Sequence, residues 1–250
     1  MLSIGLILPE VLGTYGDDGN ALVLRQRARL RGIEAEILPI HLGEAIPESL
    51  DIYCLGGGED TAQVLAAEQL TKDQGLRRAA AATRPIFAIC AGFQVLGESF
   101  RAAGKIVDGV GLIDATTSGL DRRAIGELTS TPTAAGCTAE LTEALTGFEN
   151  HLGATILGPG AQPLGRVTSG VGNCDKHCGE DMPNPEAHTS AEGAVQGSVI
   201  ATYMHGPALA RNPQLADLLL AQAMGKALTD LEPLELPTVT QLRKERFAAS

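Results

Sequence analysis

A cysteine set between an apolar run and the start of a helix is the residue of this chain best placed to do chemistry. Pro85-Ile-Phe-Ala-Ile89 leads directly into Cys90, and Ala91-Gly92-Phe93-Gln94-Val-Leu-Gly97 follows as the opening of a helical pattern. Such a strand-to-helix corner strains the backbone and presents its central side chain at the carboxyl edge of a sheet, as a nucleophile elbow does. The unpaired N–H groups of a helix N-terminus also favour thiolate over thiol. Gly92 leaves room for a tight turn. The plain alternative is a free cysteine packed at the end of a core strand. The stretch from Gly92 to Gly97 also has the glycine spacing of a phosphate loop, but Glu98 stands where that loop needs a lysine. A carboxylate there repels phosphate, which excludes nucleotide binding at this place.

Two further stretches could complete a site around Cys90. Gly56-Gly57-Gly58-Glu59-Asp60 follows an apolar run. Glycines at a strand end let backbone N–H groups face a ligand and serve as an oxyanion hole; otherwise they form an ordinary turn, with Asp60 as a helix N-cap. His205, in Thr202-Tyr-Met-His205-Gly-Pro207, ends the last apolar run. That places it on the rim where open α/β sheets bind ligands. An imidazole there can take a proton from a thiol and return it to a leaving amine. The other histidines are less well placed. His41 comes early, His151 sits in a featureless glycine-rich stretch, and His177 and His188 fall in a polar loop. That loop also holds Cys174 and Cys178, a spacing that matches no standard zinc finger or ribbon. A solvated loop is the expectation, with no metal.

The elements that must hold these residues follow from periodicity. Leu2–Leu8, Glu34–Ile40, Asp51–Leu55 and Pro85–Ile89 read as buried strands, and Ala21–Leu30, Asp60–Ala82 and Gly92–Phe100 as helices between them. This alternation predicts an α/β fold with a mostly parallel central sheet and helices on both faces. From Ile106 to about Arg166 the chain is strand-rich and glycine-rich. Val171–Gly193 reads as one long loop, Val195–Met204 as a last strand and Asn212–Met224 as a last helix, N-capped by Asn212 with Pro213 at its first position. No repeat or linker divides residues 1–250, which read as one domain.

Composition narrows the function classes. The 250 residues carry a net charge of −11, against the basic footprint of a nucleic-acid binder. No apolar run approaches the roughly 20 residues of a membrane span. The apolar N-terminus lacks the basic flank of a signal peptide. Five cysteines form no disulfide framework, and a reducing cytoplasm is the simpler setting. Few aromatics, 3%, suggest an interior of small aliphatic side chains.

Taken in order, the Gly56–Asp60 loop, the Cys90-x-Gly92-x-Gln94-x-x-Gly97 elbow and Tyr203-Met-His205-Gly206 resemble the class I glutamine amidotransferases, in their CobB/CobQ-like branch. Tyr15-Gly-Asp-Asp-Gly-Asn20, Gly111–Asp114 with Arg123–Gly126, and Gly193–Gly206 continuing to Asp217 resemble, within that branch, the glutaminase subunits of lipid II isoglutaminyl synthase. The resemblance implies a single-domain class I glutamine amidotransferase fold with Cys90 as nucleophile and His205 as base and acid. Gly58 and the Ala91 N–H become oxyanion donors, and Gln94 a glutamine contact. Arg123 matches a substrate-binding arginine, suited to the α-carboxylate of glutamine.

It further implies L-glutamine as substrate and a Mur-ligase-like, ATP-dependent synthetase of the MurT type as partner. This chain itself would need no cofactor, since ATP is expected on the partner, which amidates D-glutamate in the lipid II stem. One departure stands out. Pro207 occupies the position where class I enzymes usually carry the carboxylate that orients the histidine. The expectation is that the partner supplies that acid or reshapes the site. A stand-alone γ-glutamyl hydrolase and a non-catalytic regulatory subunit are the alternatives.

Overall fold

The computed structural model describes residues 1–175 and 185–248. Its first half is built as the apolar runs require. The strands β1 (Leu2–Ile7), β2 (Ala35–Ile40), β3 (Ile52–Leu55) and β4 (Ile86–Ile89) interleave with helices α1 (Gly19–Leu30), α2 (Asp60–Lys72), α3 (Gly75–Ala81) and α4 (Ala91–Leu96). Every residue of β3 and β4 is buried. A central parallel strand is covered on both faces, which is why Ile-Tyr-Cys-Leu and Ile-Phe-Ala-Ile show no polar alternation.

There follow β5 (Ser99–Ala102), β6 (Lys105–Asp108), β7 (Ala115–Pro132), β8 (Leu145–Leu157), β9 (Gly165–Ser169) and the short helix α5 (Pro185–Thr189). The chain continues through β10 (Ala191–Glu192), β11 (Ala194–Gln196), β12 (Val199–Thr202), α6 (Ala208–Arg211), α7 (Pro213–Ala223) and α8 (Pro237–Ala248).

The first sheet has the order β11-β12-β4-β3-β1-β2. All its pairs are parallel except β11 with β12. Because β4 lies between β3 and β12, the segments leaving the carboxyl ends of these three strands are neighbours. They are the glycine loop, Cys90 and the approach to His205. A second sheet runs β10-β9-β7-β5-β6, with β8 against β7. It is antiparallel apart from the β5–β7 pair. One apolar core continues from the first sheet into Phe100, Ala115 and Leu128 of the second.

Several sequence expectations give way to detail. The run Asp60–Ala82 is two helices, broken at Asp73, whose carboxylate accepts from the N–H groups of Ile46 and Gly75. Gly92–Phe100 is a one-and-a-half-turn helix followed by β5. Val195–Met204 is a hairpin turned at Gly197, which has φ +57°. The second sheet and α8 are additions to the expected fold. Asn212 does precede α7, with Pro213 at its first position, but its side chain makes no cap. It bonds instead to Thr146 of β8 and to the Ala208 carbonyl. Asp60 is likewise not a cap; its carboxylate accepts from the Ala103 N–H.

Candidate active site

Cys90 stands alone between β4 and α4 with φ 49° and ψ −102°. An L-residue adopts this conformation only under constraint. The constraint is on both sides: the Cys90 N–H donates to Thr202 O at 2.9 Å and the Gly92 N–H to Gly56 O at 3.1 Å. A Cβ on Gly92 would lie 2.9 Å from Gly56 O and 3.0 Å from Leu55 Cβ, so only glycine lets the elbow pack against the β3 loop. The strained turn expected from sequence is therefore present. It opens a helix whose first N–H groups, that of Ala91 included, have no intrahelical acceptor.

His205 leaves β12 on the same rim and is pinned to the second sheet. It exchanges two backbone hydrogen bonds with Phe148 of β8, at 2.9 and 3.2 Å. Its Nδ1 lies 2.9 Å from Asp17 Oδ2, and both side chains are buried. A carboxylate oxygen accepts only, so Nδ1 carries the proton and Nε2 is the nitrogen that exchanges one. Nε2 is buried and makes no hydrogen bond. Burial disfavours the imidazolium, but the hydrogen bond with Asp17, the nearby Cys90 sulfur and the negative charge of both outweigh it. The result pushes His205 up to about 10.

The glycine loop serves a second purpose that its sequence did not announce. A Cβ on Gly56 would meet Leu12 O at 2.3 Å, on Gly58 Val11 O at 2.4 Å, and on Gly57 the imidazole of His205 at 2.9 Å. These glycines admit the segment from Val11 to Asp17 and the histidine ring. Gly57 donates its N–H to Asp17 Oδ2 at 2.9 Å, while Gly58 lines the open cavity.

That cavity, of about 230 Å³, is where the sequence-derived residues converge: Cys90, Gln94, Gly58 and Arg123 all line it. Gln94 is buried, accepting from Gln63 Nε2 at 2.7 Å and donating to the Tyr203 hydroxyl at 3.0 Å. Arg123 is exposed at a register shift of the β7–β8 ribbon between Gly119 and Ala124, and donates to Asn150 Oδ1 at 3.0 Å.

Sequence reasoning missed other members. Tyr15, whose ring sits 4.9 Å from that of His205, also lines the cavity. So does His151, which is buried and stacked on Tyr203 at 3.8 Å, not idle in a featureless stretch. Asp17 lies in the Tyr15–Asn20 stretch that the resemblance singled out, with no role attached to it there, and Gln63 carried no signal. His41 is exposed beside Glu10, and His188 lies in α5.

His177 and Cys178 fall outside the described residues. Cys174 is disulfide-bonded, against the expectation of free thiols throughout; Cys54, Cys90 and Cys137 are free. Among the described residues no group of three His, Cys, Asp or Glu side chains could hold a metal, and no helix is long and apolar enough to cross a membrane.

The family model of the CobB/CobQ-like glutamine amidotransferase domain matches residues 3–213. The chain is 32% identical over 248 residues to the protein named lipid II isoglutaminyl synthase (glutamine-hydrolyzing) subunit GatD of Staphylococcus aureus, covering 98% of this chain and 93% of that one. It is 30% identical to the protein of the same name from Streptococcus pneumoniae, over 99% of this chain and 89% of the other. A cobyric acid synthase of Sphingopyxis alaskensis shares 29% identity, but this chain spans 34% of its length. A crystal structure of a glutamine amidotransferase shares the fold with TM-score 0.55 at 18% identity, over 88% of this chain and 98% of that one.

Proposed function

Because the chain belongs to the CobB/CobQ-like glutamine amidotransferase family, we propose that it is the glutaminase subunit of a lipid II isoglutaminyl synthase. It hydrolyses L-glutamine to glutamate and hands the ammonia to a Mur-ligase-like, ATP-dependent partner of the MurT type. That partner amidates the D-glutamate α-carboxylate of lipid II during peptidoglycan synthesis, in the cytoplasm. This chain takes no cofactor; ATP belongs to the partner. Alignment along nearly their whole length with two subunits of that name supports the reading. The observation that carries the chemistry is Cys90, held in a strained turn beside a buried His205, in a cavity bordered by an arginine.

The steps follow from those groups. The Cys90 thiolate adds to the side-chain carboxamide carbon of glutamine, and the oxyanion is met by the N–H groups of Gly58 and Ala91. Protonated His205 gives its Nε2 proton to the amine as the C–N bond breaks, releasing ammonia and leaving a γ-glutamyl thioester. Neutral His205 then takes a proton from water as it attacks the thioester, and glutamate leaves with the thiol regenerated. Arg123 pairs with the substrate α-carboxylate, and Gln94 borders the carboxamide.

Cys90→Ala tests the assignment in the complex with the partner. Glutamine-dependent amidation of lipid II is expected to vanish while ammonia-dependent amidation persists. Retained glutamine-dependent amidation would sink it.

A further inference from the structure

Gln94 borders the cavity with a side-chain amide whose two ends have nearly the same shape. Its terminal torsion is broad and roughly two-fold, and half a turn exchanges a donor for an acceptor. We infer that Gln63 of α2 and Tyr203 are positioning residues that hold this amide in one orientation, and so fix the polarity that the cavity offers to glutamine. The inference deepens the glutaminase reading and rests on it.

Three observations carry it. First, both ends of the amide are occupied away from solvent. Gln63 Nε2 donates to Gln94 Oε1 at 2.7 Å, and Gln94 Nε2 donates to the Tyr203 hydroxyl at 3.0 Å. All three side chains are buried. Losing either partner leaves a buried polar atom unpaired, which costs more than the hydrogen bond contributes.

Second, the anchor beyond Gln94 is itself fixed. The Tyr203 hydroxyl accepts from Gln94, so its one proton goes to Thr155 Oγ1 at 2.6 Å, and Thr155 pairs in turn with Thr117 at 2.8 Å. The Tyr203 ring stacks on His151 at 3.8 Å and meets Phe93 at 5.3 Å. His151 is tethered through its Nδ1, 2.9 Å from the Gly153 carbonyl oxygen. A chain of buried polar groups therefore runs from α2 through α4 and the end of β12 to β8 and β7. Its members favour one direction together, because each hydroxyl has a single proton to give.

Third, the fold keeps room for this arrangement. A Cβ on Gly153 of β8 would lie 2.1 Å from Gln94 Nε2 and 2.6 Å from the Tyr203 hydroxyl. A side chain at that position would push the amide off its partner.

The test uses the full chain with its synthetase partner and reads steady-state glutamine hydrolysis. Gln63→Leu removes the donor and Tyr203→Phe the acceptor, each at similar size. Each is expected to raise KM for glutamine about tenfold, the worth of one hydrogen bond, with kcat largely kept. Both changes act through the same amide, so in a Gln94→Ala background neither is expected to raise KM further. KM unmoved in Gln63→Leu and Tyr203→Phe would overturn the inference. So would a full rise for Gln63→Leu in the Gln94→Ala background, which makes Gln63 a direct contact of glutamine, since it also borders the cavity.

Should these variants fail to fold, the wild type decides alone, in nitrogen-15 spectra with the Gln94 side-chain signal assigned by its loss in Gln94→Ala. A held amide is expected to exchange its protons for deuterium about tenfold or more slowly than that of exposed Gln26. Equal rates would mean that the amide is free to turn. Cys90→Ala separates the two levels: hydrolysis surviving that change removes the glutaminase reading, whereas an unmoved KM in Gln63→Leu removes only the role of Gln63.

Discussion

His205 keeps its proton to about pH 10 because burial is outweighed by Asp17 and the Cys90 sulfur, and linkage turns that into a stability signature. A group whose folded pKa lies above its ordinary value of about 6.5 stabilises the fold fully below 6.5. That contribution is lost as pH rises through about 10. Buried Cys54 and Cys137, pushed up by burial to about 12 and about 11, lose stability in the same direction, but only above about pH 8.5, where the unfolded thiols ionise. Between about pH 7.5 and 8.5 the decline therefore belongs to His205. Urea unfolding in that window is expected to show falling stability in the wild type and a flatter curve in His205→Asn. Equal slopes would mean that the ring is not held charged.

Arg123 is the other residue-scale expectation. Loss of its charge-assisted contact to the α-carboxylate, about 1.5–3 kcal/mol, predicts that Arg123→Ala raises KM for glutamine about tenfold or more with kcat largely kept. Steady-state kinetics decide it, and a fall in kcat alone would place Arg123 elsewhere. Cys90, His205 and Gly58 stood out because each sits in a local pattern, an elbow, a strand end and a glycine run, whereas Gln94 and Arg123 were singled out only by the family resemblance. Asp17 did not stand out, since what ties it to the site is a contact 188 residues away. Gln63 and His151 were hidden for the same reason.

At the scale of elements, Glu192 of β10 is buried beside β12, accepting from the Thr202 hydroxyl and, at 3.0 Å, from the Tyr203 N–H. Its Oε2 has no hydrogen bond. Burial pushes it up to about 7, against those two hydrogen bonds and with a smaller push from the charge of Glu149. The raised pKa again means stability present below about 4.5 and lost as pH climbs through 7. Glu192→Gln cannot ionise, so its stability should vary less from pH 4.5 to 7 than the wild type, a window distinct from that of His205. An unchanged slope would place the titration in another group.

The parallel sheet was readable from β1 to β4 because central strands need unbroken apolar runs. The second sheet was not. Its long strand β7 exposes one polar position after another, and β7 and β8 both carry glycines. Their partnership is set by register across the ribbon and not by either strand's own pattern. The Asp60–Ala82 run kept helical periodicity through a break that only the Asp73 contacts explain, and Asn212 was misread as a cap because its preferred partner lies on β8.

For the molecule as a whole, the proposed site joins the two ends of the chain, so whatever fastens those ends also holds Asp17 against His205. One fastening is ionic. Arg27 of α1 makes a bidentate pair with Asp217 of α7, both contacts 2.7 Å, and Arg31 reaches the same carboxylate at 2.7 Å. The three side chains are almost wholly buried, at 5%, 6% and 12% exposure. Asp217→Ala would leave two guanidinium groups without their carboxylate in a dry place, so it is expected to cost about 3–5 kcal/mol of stability.

A buried pair is not itself a large source of stability, because desolvating its charges offsets their attraction. Replacing Asp217 by Leu together with Arg27 and Arg31 by Met should therefore recover most of the loss, since apolar groups of similar volume need no counter-charge. The recovered variant is the informative one. If it regains stability but hydrolyses glutamine more slowly, with the His205 titration midpoint lowered, the ion cluster sets the position of α1, and through it of Asp17, beyond merely holding the fold. If Asp217→Ala is as stable as the wild type in urea, the cluster carries no fastening role and the ends are held by apolar packing of α1 on α7 alone.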